Sequence, residues 1–131
     1  MDDVVICAPL RTPVGRFGGS LASVTATDLA SGLLRTLVER TGLTEGDVDD
    51  VILGQGYPNG ESPAIGRVAA LDAGLGTGVP GLQLDRRCGS GLQAVLVAAG
   101  QIATGGARLV IAGERSRCHR SSTTPSGCAA A

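Results

Sequence analysis

From Leu92 to Ala103 the chain reads Leu-Gln-Ala-Val-Leu-Val-Ala-Ala-Gly-Gln-Ile-Ala, with Gln93 and Gln101 its polar side chains. Wound as a helix, this run is apolar almost all round, and such a helix has to be covered on every side. It is far shorter than the roughly 20 residues that cross a bilayer, so the cover must be protein. The rest of the sequence offers a few strands and two further helices, enough for one face and not for all. The expectation is a layered α/β fold that these 131 residues leave incomplete, with a second domain needed over the central helix.

The other elements are read from periodicity and punctuation. Val4 to Ala8 is β-branched and apolar, is closed by Pro9, and predicts a first buried strand. Arg11 to Gly19 is a Pro/Gly loop. Thr27 and Asp28 offer N-capping oxygens for a helix reaching Arg40, with Leu29, Leu33, Leu34, Leu37 and Val38 on one face and Gly42 closing it. Thr44-Glu45 opens a short acidic turn of helix. Val51-Ile52-Leu53 is a second strand ending at Gly54. A second helix is expected over Ala64 to Ala73, and Leu82-Gln83-Leu84 is a strand end. Gly105-Gly106 stops the apolar helix, and Leu109 to Ala112 is a third strand. Strand and helix alternate with short loops, the α/β pattern.

Composition narrows the function. Arg+Lys total 11 against 12 Asp+Glu, a formal charge of −1, which leaves no electrostatic footprint for nucleic acid or an anionic membrane. Lys is absent, which removes Schiff-base chemistry and the phosphate-cradling Lys of nucleotide loops. Aromatic residues make up 2%, too few for base-stacking platforms. The acidic start has no basic n-region of a secretory signal. Cysteines at 7, 88, 118 and 128 are too unevenly spaced for a disulfide framework. The expected location is cytoplasmic, with thiols reduced.

Cys88 is the candidate for chemistry because of its place. It follows Asp85-Arg86-Arg87 where a strand hands over to the apolar helix. Backbone N–H groups at a helix N-terminus stabilise an anion, and the thiolate is the form that attacks. Gly89 and Gly91 leave the sulfur unhindered. Against this stands the ordinary reading of a lone cysteine as a small buried hydrophobe.

The segment Asp85-Arg86-Arg87-Cys88-Gly89-Ser90-Gly91-Leu92-Gln93-Ala94-Val95 resembles the acyl-enzyme signature of thiolases, the acetyl-CoA acetyltransferase family. Arg11-Thr12-Pro13-Val14-Gly15 with Phe17-Gly18-Gly19, Val51-Ile52-Leu53-Gly54, and Gly66 to Gly74 match that family in order and spacing. The resemblance covers about residues 4 to 113. It implies the N-terminal domain of a thiolase-like fold, layered α-β-α-β-α when complete. It implies ping-pong acyl transfer between CoA thioesters through an acyl-Cys88 intermediate, with the Cys88 N–H in an oxyanion hole. Acyl-CoA or acetyl-CoA is then substrate, no metal or redox cofactor is implied, and self-association as dimer or tetramer is expected. The family's activating His lies in an Asn-Glu-Ala-Phe region, a second His in His-Pro-x-Gly-x-Ser-Gly, and its base Cys in Cys-x-Gly. None of these segments occurs here, so the chain alone is expected to be inactive or nearly so.

After Ala112 the composition changes sharply. Glu114 to Ser126 has no Val, Leu, Ile or Met. Thiolases continue here with a segment like Ala-Gly-Gly-Ala-Glu-Ser-Met-Ser. One coding of it, read with a single base deleted, gives Ala112-Gly113-Glu114-Arg115-Ser116-Arg117-Cys118. The expected organisation is therefore a domain over 1–113 and an out-of-frame, unstructured tail over 114–131.

Weaker signals point elsewhere. Cys118-His119 with Cys128 lacks paired zinc-ligand spacing. Cys128-Ala129-Ala130-Ala131 fits a prenylation box only formally. Gly54-x-Gly56 is followed by Pro58 and Pro63 where a dinucleotide-binding helix would open. Asp47, Asp49 and Asp50 read as solvated surface charge, and Cys7 as core packing. Two other readings compete with the thiolase one. The first is a ketoacyl synthase-like condensing enzyme, disfavoured by the Gly-Ser-Gly-Leu-Gln-Ala-Val run and the Arg-Thr-Pro loop. The second is a non-catalytic domain binding a partner through its apolar helix.

Overall fold

In the computed structural model, which describes residues 3–58, 60 and 62–115, the apolar triplet Val51-Ile52-Leu53 lies at the centre of the sheet. The elements are α1 (Ala26–Thr41), β1 (Asp50–Gly54), α2 (Ile65–Asp72), β2 (Gly81–Leu84), a 3-10 turn (Arg87–Gly89), α3 (Ser90–Ala103) and β3 (Val110–Glu114). Among the described residues the sheet has three strands ordered β2-β1-β3. Both pairings are parallel, with Ile52 opposite Leu82 on one side and Ala112 on the other.

Side-chain alternation along β1 builds two cores. Val51 and Leu53 point to one face, where they join Leu34 of α1 and Ile65, Ala69 and Ala70 of α2. Ile52 points to the other face and meets Ala94 and Ala98 of α3. The period of two along a strand thus places α1 and α2 in one layer and α3 in the opposite one. The expected α/β layering is what the chain forms.

The start of α1 differs from expectation. Its N-cap is Thr25, and Asp28 is the third helical residue of a capping box. The Asp28 N–H donates to Thr25 Oγ1 at 3.0 Å, and the Thr25 N–H donates to Asp28 Oδ2 at 3.2 Å. The two residues satisfy each other's exposed N–H groups, which a cap at Thr27 or Asp28 would not do. Gly42 closes the helix in the left-handed conformation, as expected. Thr44-Glu45 forms a turn rather than a helix, because Asp47 Oδ2 draws in the Thr44 N–H and hydroxyl, each at 2.7 Å.

Val4 to Ala8 corrects the reading more seriously. These residues form no strand and lie exposed, Ile6 at 79%. A strand needs a hydrogen-bonded neighbour, and the segment does not pair with β3, whose outer edge stays open among the described residues. The segment instead borders an apolar groove of about 640 Å³ whose other walls include Leu34, Leu37, Val95 and Ile111. Cys7 is accordingly exposed and not packed in the core.

The acidic cluster is also more than solvated charge. Asp49 Oδ2 accepts from the Arg108 N–H at 2.7 Å and the Leu109 N–H at 3.0 Å, fastening the start of β1 to the approach to β3. Asp50 Oδ2 accepts from Gln101 Nε2 at 3.1 Å. The Arg108 and Leu109 N–H groups hold the Asp49 carboxyl below its ordinary range. The Thr44 hydroxyl and N–H do the same for Asp47. A carboxyl with a lowered folded-state value adds stability above its unfolded value, near 3.9, and loses it as pH falls through the folded value. Asp49→Asn is expected to flatten the loss of thermal stability below about pH 4, read by melting the variant and parent across that range.

Leu92 and Leu96 of α3 are 68% and 55% exposed, as expected for a helix these residues cover on one side only. The order of the chain also continues past the expected boundary at 113. Glu114 pairs with Gly54 as the last residue of β3, and the Arg115 N–H donates to the Gly54 carbonyl at 3.0 Å. Backbone pairing needs no apolar side chain, so composition misplaced that edge. The expected tail from 116 to 131, with Cys118, His119 and Cys128, lies outside the described residues.

Candidate active site

All three strands run parallel, so their C-terminal ends share one edge of the sheet, the edge where α/β folds place their ligands. Gly54, Leu84 and Glu114 end the strands there, and α3 begins there. Between Leu84 and α3 the chain must reverse from strand to helix within a few residues. Arg87 makes that turn with φ of 51°, a left-handed conformation that costs a long side chain on the order of 1–3 kcal/mol.

Several contacts hold Arg87 in place. Its N–H donates to Asp85 Oδ1 at 2.9 Å, and its guanidinium pairs with the Asp85 carboxylate. The guanidinium also donates to the Gly56 carbonyl and lies 4.9 Å from the centre of the Tyr57 ring. Ser90 ties the turn from within. Fully buried, its Oγ accepts from the Arg86 N–H at 2.8 Å and donates to the Arg87 carbonyl at 2.6 Å. The turn is over-determined, which is the condition under which strained backbone persists.

Cys88 is the next residue, inside the 3-10 turn and two positions before α3. It is exposed. The structure therefore places the sequence's candidate at the mouth of the helix and open to solvent, and not in packing. The apolar groove beside Val4 to Leu10 is not lined by Cys88, so that cavity belongs to a different part of the molecule.

Three further residues shape the site. Gly54 lets β1 press against the helix start: a Cβ there would lie 2.7 Å from the Ser90 carbonyl carbon. Gln55, 1% exposed, follows β1, and among the described residues its Oε1 has no hydrogen-bond partner. Glu114 reaches across from β3, its Oε2 accepting from the Gly91 N–H at 3.1 Å. Ser90 was visible in the Cys-Gly-Ser-Gly run, although its role was not. Gln55 and Glu114 carried no sequence signal, since their meaning depends on contacts far apart in the chain. Among the described residues no group of three His, Cys, Asp or Glu could hold a metal ion. No described helix is long and apolar enough to cross a membrane.

Comparison with known proteins agrees with the motifs. A family model described as "Thiolase, N-terminal domain" matches residues 4–123. An acetyl-CoA acetyltransferase of Pseudomonas aeruginosa is 48% identical over 113 residues, covering 86% of this chain and 29% of that protein. A beta-ketoadipyl-CoA thiolase of Pseudomonas knackmussii is 49% identical over 113 residues, covering 85% and 28%. The crystal structure of the Bacillus anthracis acetyl-CoA acetyltransferase superposes with a TM-score of 0.76 at 41% identity, covering 80% of this chain and 27% of that one. The chain thus spans under a third of the length of these relatives.

Proposed function

Because this chain belongs to the thiolase family, matching its N-terminal domain, we propose that it supplies the acyl-accepting part of a thiolase-type acyltransferase, with Cys88 taking the acyl group. The observation that carries this reading is an exposed Cys88 fixed at the start of α3 by the Arg87 and Ser90 contacts.

The chemistry follows from that placement. The Cys88 thiolate adds to the carbonyl carbon of an acyl-CoA thioester, and the carbonyl electron pair moves onto oxygen. Collapse of this intermediate breaks the bond to the CoA sulfur and leaves the acyl group on Cys88. CoA departs as a thiolate and takes up the proton that Cys88 gave up. A second CoA thiol or carbanion then receives the acyl group. Sulfur replaces sulfur on the same carbonyl, so the acylation step calls for no oxidant, reductant or redox cofactor. The Cys88 N–H, at the positive end of α3, is the donor proposed for the developing oxyanion.

These 131 residues contain no Asn-Glu-Ala-Phe, His-Pro-x-Gly-x-Ser-Gly or Cys-x-Gly segment. The reading therefore assigns the chain one slow acylation and not turnover. Cytoplasmic surroundings suit it, since a free reactive thiol persists where thiols stay reduced. Mixing the chain with excess acetyl-CoA is expected to release up to one equivalent of free CoA per chain and then stop. A folded chain that releases none contradicts the proposal.

The uncovered face of α3 supports self-association as the second part of this reading. Leu92 and Leu96, with Leu82 of β2 at 40% exposure, present apolar surface of the kind that marks interfaces. Sedimentation is expected to show a dimer or larger species, shifted to monomer by Leu92→Glu with Leu96→Glu. A parent chain that sediments as a soluble, cooperatively folding monomer contradicts it.

A further inference from the structure

Arg87 takes its left-handed backbone, φ of 51°, immediately before Cys88, and the contacts that offset this strain reach well beyond the turn. The guanidinium pairs with Asp85, donates to the Gly56 carbonyl and lies 4.9 Å from the centre of the Tyr57 ring. Gly56 also lies against the Arg87 backbone, since a Cβ there would be 3.4 Å from Arg87 Cα. Buried Gln55 fixes this stretch from below. Its N–H donates to the Leu84 carbonyl at 2.8 Å, and its Nε2 donates to the Tyr57 carbonyl at 3.4 Å. The exit of β1 thus forms a seat for the Arg87 side chain.

The peptide unit between Arg87 and Cys88 is what this seat controls. Its carbonyl faces Ser90, accepting from the Ser90 hydroxyl at 2.6 Å and from the Ser90 N–H. A trans peptide is planar with its carbonyl and N–H opposed, so the Cys88 N–H points away from Ser90. On the other side of the same Cα, the Arg87 N–H turns to Asp85 Oδ1 at 2.9 Å. Both directions are set by the left-handed backbone, and a return to ordinary φ would swing the Cys88 N–H with the peptide.

We infer that Arg87 is a positioning residue, whose seated side chain holds the strained backbone that aims the Cys88 N–H at the acyl oxygen. This rests on the reading of Cys88 as acyl acceptor and deepens it. Arg86 has a different task, extending along α3 to Gln93 Oε1 at 3.0 Å.

The test compares Arg87→Ala with Arg87→Gly in the full chain, with Cys7, Cys118 and Cys128 replaced by alanine so that one thiol remains. Both variants lose the side-chain contacts, but only alanine keeps the penalty of left-handed backbone, which glycine adopts freely. CoA release from acetyl-CoA is expected to slow about tenfold in Arg87→Ala and less than about threefold in Arg87→Gly. The first figure is a fraction of the roughly hundred-fold or more lost when an oxyanion donor is removed outright. Alkylation by iodoacetamide, which needs the sulfur and no oxyanion donor, should stay within about twofold of the parent in both. A role in folding alone would not separate the two reactions. Amide exchange at Gly89, whose N–H donates to the Arg86 carbonyl at 3.0 Å, should quicken in the same order, glycine less than alanine. Variants that match the parent, or a glycine variant as slow as the alanine one, overturn the inference. A parent that releases no CoA contradicts the acyl-acceptor reading instead, and the order of Gly89 exchange then decides whether Arg87 holds the turn.

Discussion

Gly54→Ala is expected to destabilise the chain by about 1–3 kcal/mol and to slow the reactions of Cys88, although it adds a single methyl group. The new Cβ would lie 2.7 Å from both the Ser90 carbonyl carbon and the Ser90 Cβ, and 2.9 Å from the Ser90 carbonyl oxygen. Two of those atoms are backbone, so relief requires moving the start of α3 itself. Ser90 is also the residue whose hydroxyl ties Arg86 to Arg87, so the displacement passes directly into the turn that carries Cys88. Gly100→Ala is the matched control. Gly100 is an exposed helical position with no heavy atom within 4 Å of the added Cβ, and alanine there is expected to stabilise by about 0.5–1 kcal/mol. Urea midpoints of the two variants should therefore move in opposite directions, and only Gly54→Ala should alter alkylation of Cys88.

Cys88→Ser is expected to cut CoA release from acetyl-CoA by at least about a thousandfold, with stability within about 0.5 kcal/mol of the parent. A cysteine is a few per cent thiolate at neutral pH even without help, whereas a serine hydroxyl needs a base to attack. The family's activating segments are absent from these residues, so no replacement for that base comes from the motifs. Cys88 is exposed and carries little packing, which is why the substitution should leave folding intact. Loss of CoA release with an unchanged unfolding curve is the pattern that separates chemistry from structure. Equal release by both chains would assign the reaction to another group.

The elements that were legible in the sequence are those whose partners are local or whose pattern is strongly periodic. The Val51-Ile52-Leu53 triplet, the apolar run of α3 and the stop at Gly42 all fall where the pattern put them. Val4 to Ala8 failed for a physical reason: β-propensity describes how a side chain fits a pleated surface, and it does not by itself form the backbone ladder, which this segment does not make with the open edge of β3. The same segment misled the reading of Cys7, whose burial depended on that strand. Around the site, Cys88 was legible because glycines and a helix start flank it in the sequence itself. The contacts that position it were not. Arg87 reaches back to Gly56 and Glu114 forward to Gly91, and both contacts exist only once parallel strands bring their ends to one edge. Composition placed the end of the domain at Gly113, yet a strand is held by its backbone, and pairing carries β3 to Glu114.

Digestion of the acetyl-CoA-treated full chain, followed by mass spectrometry of the peptides, tests the acyl-accepting role of Cys88 most directly. The account predicts an acetyl group on the peptide bearing Cys88, removed by hydroxylamine as a thioester should be, and absent when Cys88 is serine. A folded chain that stays unmodified, or takes the acetyl group on Cys7 instead, contradicts it.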